Sequence, residues 1–359
     1  MAEKRISVIV GNGFDLSMLQ KLDSERNTSY EMFYYYYFYR KNGDISNYII
    51  ERMNDNIGKT SNWSDIEYAL NSKIIETTDR DSLDVLKKDL REVQRYFSLY
   101  LNEIIDGELI TRFSKMCEES EKPLASFSDF LGDLSEGQYG KMSFYRSIDN
   151  NDKIVFDFYN LNYTALLDNY IFLSSEKFDP EKFSTSKNNF RLNLDPNGYG
   201  GQYKHNDPLV NLLINIYHPH GSQDVPASLL FGIEGNNINK NSINAYSPEK
   251  SFVKSVWARN DARYGQNLDS TELFIVFGSS MGETDNWWWR KIISALTNDT
   301  AELIIYNYCG DNADSGADFV ERFIENAHVE DADIELVKDR TFVVNYGPNT
   351  NTKVKFLQL

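Results

Sequence analysis

The stretch VIVGNGFDLS at positions 8–17 constrains this chain more than any other. A β-branched run, KRISVIV (4–10), stops abruptly at Gly11, Asn12 and Gly13, and Phe14 and Asp15 follow. Asn-Gly between apolar runs signals a β-hairpin, while Gly-x-Gly behind a strand also opens dinucleotide sites, so the stretch alone supports both. The residues that follow must decide.

Downstream, short apolar runs alternate with helical patterns. KIVFDFY (153–159) reads as a strand, NLNYTALLDNYIFL as a loop entering a helix, and LVNLLINIYHPHG (209–221) as a strand ending in a histidine-containing loop. ASLLFGI (227–233) reads as a further strand, ELFIVFGSSMGETDNWWWRKIISAL (272–296) as strand, loop and helix, and AELIIYNY (301–308) with ADFVERFIENA (317–327) continues the alternation. The order predicts an α/β fold with a mostly parallel sheet and helices on both faces, which favours the cradle over the hairpin.

One region departs from the alternation. Residues 30–150 carry long helical segments, and in one of them Leu83, Leu86, Leu90, Val93, Tyr96, Phe97 and Leu101 recur at three- and four-residue spacing, the stripe of an amphipathic helix. We therefore expect a helical insertion at 30–150 after the first strand, within a domain built from 1–29 and 151–359. Its aromatic run YEMFYYYYFYR predicts helix packing with tyrosine hydroxyls reaching solvent, the alternative being a base-stacking or partner surface. A Ser/Asn/Gly-rich stretch at about 174–208 predicts a long excursion.

Composition narrows the partners. A formal charge of −17 and a pI near 4.7 repel nucleic-acid phosphates and anionic lipid, so neither nucleic acid nor membrane is expected as a partner. No stretch of about 18 apolar residues occurs, and the apolar run in MAEKRISVIVGNGFD is too short for a signal peptide, which predicts a cytoplasmic protein. Cys117 and Cys309 are far apart and form no Cys-x-x-Cys pair, so two buried thiols are expected rather than a disulfide or a cysteine-based zinc site.

Ligands of open parallel sheets bind outside the carboxyl ends of the strands, and here the notable polar residues follow apparent strands each time. They are Gly11, Asn12, Gly13, Phe14 and Asp15; Asn160, Asn162, Tyr163 and Thr164; His218, His220, Gly221 and Ser222; and Gly278, Ser279, Ser280, Gly282, Glu283 and Asp285. Four such loops predict one shared cleft. In the first, glycines would let the backbone approach a pyrophosphate whose charge the helix start would bind; a tight turn without a ligand is the alternative. Leu16 stands where the third glycine of G-x-G-x-x-G would be, and no P-loop lysine is present, so neither a standard dinucleotide fingerprint nor an ATPase is indicated. Asp15 reads as a helix cap or a ribose partner.

His218 and His220 flank Pro219, and a His-x-His pair on extended chain points both rings to one side, which suits a metal. No carboxylate follows at ligand spacing, however, and a histidine before Gly221 fits a general base or a hydrogen-bonded structural residue. Asn162 can offer donors and an acceptor to a ribose or a water, or serve as a turn residue. Asp285 reads as a cap for the helix bearing Trp287, Trp288 and Trp289.

In this order, VIVGNGFDLS, WSDIEYAL, NLNYTALLDN, HPHGS and IVFGSSMGETD resemble the AbiH family of bacteriophage abortive-infection proteins, from about residue 6 to about residue 296. That family is in turn similar to the SIR2 superfamily, whose Rossmann-like domain binds NAD. The resemblance implies that the Gly11–Asp15 loop is the glycine-rich nucleotide loop, that Asn162 lies beside the nicotinamide ribose and that His220 is the catalytic histidine. It also implies that Gly278, Ser279 and Ser280 approach the adenosine side.

Deacetylase members of the superfamily carry four zinc-binding cysteines; with two unpaired cysteines this chain does not resemble them there. Its NYT departs from their QNID loop and is closer to the NYD of defence-associated SIR2-like NADases, with Thr164 in place of Asp. Trp63 and Glu67 match a family feature in the helical region. The resemblance thus implies an anti-phage NAD glycohydrolase that depletes NAD without a metal, triggered by a phage protein and acting as a homo-oligomer. Two alternatives are a defence module that senses NAD or ADP-ribose without turnover, and a metal-dependent hydrolase of another nucleotide or a nucleic acid built on His218 and His220.

Overall fold

Alternate side chains of β1 (Glu3–Val10) enter two different apolar cores, as they must in a strand buried on both faces. Ile6, Val8 and Val10 join one core, and Ile9 joins the other. The structure, a computed structural model, describes residues 2–60, 64–76, 79–120, 122–176, 190–200, 207–233, 252–298, 300–310, 316–329, 333–350 and 352–358. The further strands are β2 (Lys153–Asn160), β3 (Phe190–Arg191), β4 (Leu209–Tyr217), β5 (Leu273–Phe277), β6 (Glu302–Tyr308) and β7 (Thr341–Tyr346).

They form a sheet in the order β3-β4-β2-β1-β5-β6-β7, in which only the β3–β4 pair is antiparallel. The registers run from Glu3↔Lys153 to Val10↔Asn160 on one side of β1 and from Ile6↔Leu273 to Val10↔Phe277 on the other. The chain winds outward through β2 and β4, then returns to the far side of β1 at β5. At such a reversal successive connections leave for opposite faces, so a crevice opens at the carboxyl ends of the strands.

Between β1 and β2 every long element among the described residues is helical: α1 (Gly13–Lys21), α2 (Tyr30–Arg40), α3 (Tyr48–Asn56), α4 (Ile66–Glu76), α5 (Arg80–Ile104), α6 (Gly107–Ser120), α7 (Lys122–Ser128) and α8 (Glu136–Lys141). The caps are written in the sequence, with Ser29 accepting from the Met32 amide ahead of α2 and Asp79 from the Ser82 amide ahead of α5. Along α5, Leu83, Leu86, Val93, Phe97 and Leu101 are buried, as their spacing predicts. In α2, Phe33, Tyr34 and Tyr37 are buried while Tyr35, Phe38 and Tyr39 face solvent. These helices and the sheet share one continuous core.

The later helices are α9 (Leu166–Glu176), α10 (Lys254–Ala258), α11 (Gln266–Asp269), α12 (Asn286–Asn298), α13 (Gly316–Ala327) and α14 (Ile334–Asp339). The second core joins Trp288, Trp289, Ile292 and Ile293 of α12 and Phe323 of α13 to Ile9, Phe274, Val276, Leu303 and Ile305 of the sheet. Helices therefore cover both faces, and Cys117 and Cys309 are buried thiols. Among the described residues no helix is long and apolar enough to cross a membrane.

Residues 227–233 correct the sequence expectation. They form no ladder strand; a short 3-10 turn at Pro226–Ser228 leads into chain that crosses under α5. Leu229, Leu230 and Phe231 are buried, but the Leu230 amide donates to the His220 carbonyl and the Ile233 amide to that of Phe252. The apolar run is core-facing loop. Conversely β7, half-buried at the sheet edge, was not anticipated.

Candidate functional site

The loops after β1, β2, β4 and β5 converge on one cleft of about 400 Å³, as their shared position at strand ends predicts. Gly11, Asn12, Gly13, Asp15, Asn162, Thr164, His220, Gly278, Ser279, Ser280 and Asp285 all line it. Phe14 does not. Its ring is fully buried, edge-on to Tyr170 and Phe277, and anchors α1 to the core.

The glycines have a reason the sequence did not disclose. The amide of Gly11 donates to the Phe277 carbonyl at 2.9 Å and that of Gly13 to the Gly278 carbonyl at 2.7 Å. A Cβ on either would stand 2.7 Å from backbone atoms of Gly278 or Ser279. A Cβ on Gly278, which adopts φ +65°, would in turn come as close to the backbone of Phe14. The β1 and β5 loops are thus laced together, and the close approach needing glycine is theirs to each other.

Asp15 sits behind this lacing, almost fully buried, with no cation against it among the described residues. Asn162 Nδ2 donates to Asp15 Oδ1 at 3.0 Å and Thr164 Oγ1 to Asp15 Oδ2 at 2.7 Å. Burial pushes the carboxyl up to about 7 against the pull of these two bonds. Asn162 Nδ2 also donates to the Gly11 carbonyl at 3.1 Å, so both amide hydrogens are committed and Oδ1 is the atom left to accept from a ligand.

His220 is held from three sides. Its Nδ1 lies 3.1 Å from the Leu161 carbonyl, an acceptor, which assigns the proton of the neutral ring to Nδ1. Its Nε2 faces Asp285 Oδ1 at 3.3 Å, where a second proton would be received. The adjoining Gly221 adopts φ +87°, and a Cβ there would lie 2.0 Å from the Ser228 carbonyl oxygen. From α5, Gln94 bonds the Leu229 carbonyl and Ser98 that of Gln223, fixing the same loop.

His218 turns elsewhere, its Nε2 2.8 Å from Asp168 Oδ1. The ring nitrogens of the two histidines thus engage different partners, and among the described residues no cluster of three metal-ligating side chains occurs. Asp285 corrects another expectation. Its carboxylate does not cap α12; it receives Lys254 Nζ at 2.7 Å and faces His220, because an adjacent buried cation offers more than a helix amide.

Sequence reasoning missed Lys254 altogether. It is 2% exposed, its Nζ also 2.7 Å from Glu67 Oε1 of α4, and the one signal was a lysine inside the apolar SFVKSVW. Burial opposes its charge, but Asp285 and Glu67 hold its pKa well above the ordinary lysine value. Burial likewise opposes the charge on Asp285, yet Lys254 and His220 hold its pKa far below the carboxylate range. Glu67 is raised by burial, and by Asp285, against the pull of Lys254. Trp63 lies outside the described residues.

The helical region supplies a wall of this cleft through Tyr30, Asp65, Glu67, Phe97 and Leu101. A second cavity of about 340 Å³ adjoins the first across Gly13, Leu16, Gly278, Ser279 and Ser280, and carries Asn307, Tyr308 and Tyr346. Among the described residues neither cavity is lined by lysine or arginine. A family model described as bacteriophage abortive infection AbiH matches residues 8–307. No curated protein and no solved structure matches the chain.

Proposed function

This chain belongs to the AbiH family of bacteriophage abortive infection proteins, and we propose that it acts there as an NAD glycohydrolase on a Rossmann-like, SIR2-like sheet. With the edge strand β3 set aside, the six parallel strands follow the order 3-2-1-4-5-6 of doubly wound dinucleotide-binding sheets. One observation carries the reading: His220, with an acceptor at each ring nitrogen, shares a cleft with the loops at the point where that order reverses.

The nicotinamide ribose occupies the first cavity, beside Asn162 and His220, and the adenosine lies across Gly278, Ser279 and Ser280 toward the tyrosines of the second. The pyrophosphate rests at the start of α1, where Asn12 and Gly13 line the cleft and the helix dipole, rather than the Gly11 and Gly13 amides already bonded to the β5 loop, attracts it. Asn162 Oδ1 accepts from a ribose hydroxyl or the attacking water, with Thr164 and Asp15 fixing its amide. Water oxygen bonds to the anomeric carbon as the bond to the nicotinamide nitrogen breaks; nicotinamide leaves neutral with the bonding pair. The water proton passes to His220 Nε2, and Asp285 receives the resulting imidazolium. The carboxylates of Asp65, Glu67 and Asp285 suit the positive charge that develops on the ribose.

In this reading residues 1–29 and 151–359 form the nucleotide-binding unit, and residues 30–150 are the region through which a phage protein or self-association acts in the cytoplasm. Purified protein incubated with NAD should release nicotinamide, and His220→Ala or Asn162→Ala should abolish the release. Turnover unchanged in both variants would overturn the assignment. The commitment of both Asn162 amide hydrogens inside the protein favours a second reading, a sensor that binds NAD or ADP-ribose without turnover. Calorimetric ADP-ribose binding with no nicotinamide release would select it.

A further inference from the structure

We infer that Lys254 is a positioning residue: clamped between Glu67 of α4 and Asp285, it sets the charge that Asp285 presents to His220, so that the helical region takes part in the chemistry of the site. This rests on the reading in which His220 is the working group. Lys254 Nζ stands 2.7 Å from each carboxylate and is divided between them, so neither is wholly neutralised. Asp285 keeps about a fifth of its side chain open to the cleft and faces His220 Nε2 at 3.3 Å, whereas Lys254 is almost fully covered.

Stability alone does not explain such an arrangement, because a buried ion pair commonly contributes no more than apolar residues of similar volume. Its placement does: the three residues come from α4, α10 and the loop after β5, and they join the wall formed by the helical region to the imidazole. The groups that face His220 are Asp285 from the β5 loop, Tyr163 from the β2 loop, Lys254 from α10, and Asp65 and Glu67 from the start of α4. Asp65 is held in place by the amides of Glu67 and Tyr68.

Removing Glu67's charge gives Lys254 wholly to Asp285, so His220 feels less negative charge; removing Lys254's charge does the reverse. The chain has four histidines, so ring titrations followed by NMR are tractable, with the His220 signal assigned through His220→Asn. Glu67→Gln should lower the His220 midpoint by roughly half a unit or more, Lys254→Met should raise it by a similar amount, and Lys254→Arg should leave it near wild type. A packing defect would not split the signs. A folded Glu67→Gln protein with an unmoved midpoint, or two variants shifted the same way, overturns the proposal; if Lys254→Met does not fold, Glu67→Gln and Lys254→Arg decide.

The same proteins assayed for nicotinamide release should show kcat in Glu67→Gln reduced by about tenfold with KM little changed, the pattern of weakened proton transfer. Midpoints that move as expected without any nicotinamide release uphold the clamp and defeat the hydrolase reading. Release with an unmoved midpoint defeats the clamp and leaves the hydrolase standing.

Discussion

Two aspartates of the same cleft have opposite electrostatic fates. Among the described residues Asp15 has only neutral donors, Asn162 and Thr164, and burial raises it to about 7. Asp285 has Lys254 and His220, and these hold it below the carboxylate range although burial opposes them. A neutral hydrogen bond does not replace the lost hydration of an anion, whereas a buried cation does. Their linkage to folding therefore has opposite sign. Asp15 favours the native state most below its ordinary value near 3.8, and that advantage is lost as pH rises toward 7; Asp285's contribution is present above 3.8 and is lost as pH falls below it. Environments that push two carboxyls apart in this way separate a proton carrier from a permanent anion.

The contrast breaks most severely at Lys254. Lys254→Met leaves Glu67 without its cation and Asp285 with His220 alone, and should cost about 4 kcal/mol by chemical denaturation at pH 7, weakening the hold on Asp285's charge without abolishing it. Asp15→Asn keeps the shape and removes the proton. Between pH 4 and pH 7 wild type should lose about 3 kcal/mol relative to this variant, with only a few tenths of a kcal/mol more above pH 7. Asp133, also raised by burial, to about 6, titrates in both proteins and cancels.

Gly221→Ala strikes the Asp285 side through the backbone. Its methyl would meet the Ser228 carbonyl at a positive φ, so a loss of roughly 2–3 kcal/mol and displacement of His220 from Asp285 are expected, read by denaturation and by the His220 ring signal. The mildest test is Thr164→Val, which removes one of Asp15's two donors. It should cost about 1 kcal/mol and lift the Asp15 midpoint further, as seen by carboxyl NMR. A lowered midpoint would refute the account of that half of the site.

Much of this contrast is invisible in a linear reading. The β1, β2, β4, β5 and β6 strands are legible because each is a short apolar run closed by a polar loop, and the convergence of those loops follows from parallel pairing. β7 was missed because TFVVNY alternates buried and half-buried positions at an edge, and 227–233 was misread because core-facing loop and core-facing strand share a composition. Asp15, Asn162, His220 and Asp285 were legible as residues, but their partners were not. Lys254 joins Glu67 and Asp285 across chain separations that no local pattern encodes, and Asp285 was given a capping role because its nearest neighbours in sequence begin a helix.

The central strand also sets a schedule. The partners of β1 lie 150 residues later in β2 and 267 residues later in β5, because the whole helical region intervenes before the first pairing. At ribosomal rates of roughly 5–20 residues per second, its edges stay unpaired for roughly 8–30 s before β2 emerges, and longer before β5. ISVIV is then an apolar strand with both edges open, the form in which chains aggregate. The helices that wall the cleft in the finished protein delay its completion during synthesis. Yield should therefore respond to translation speed and to chaperones that cover nascent apolar segments more than to mutations on the protein surface.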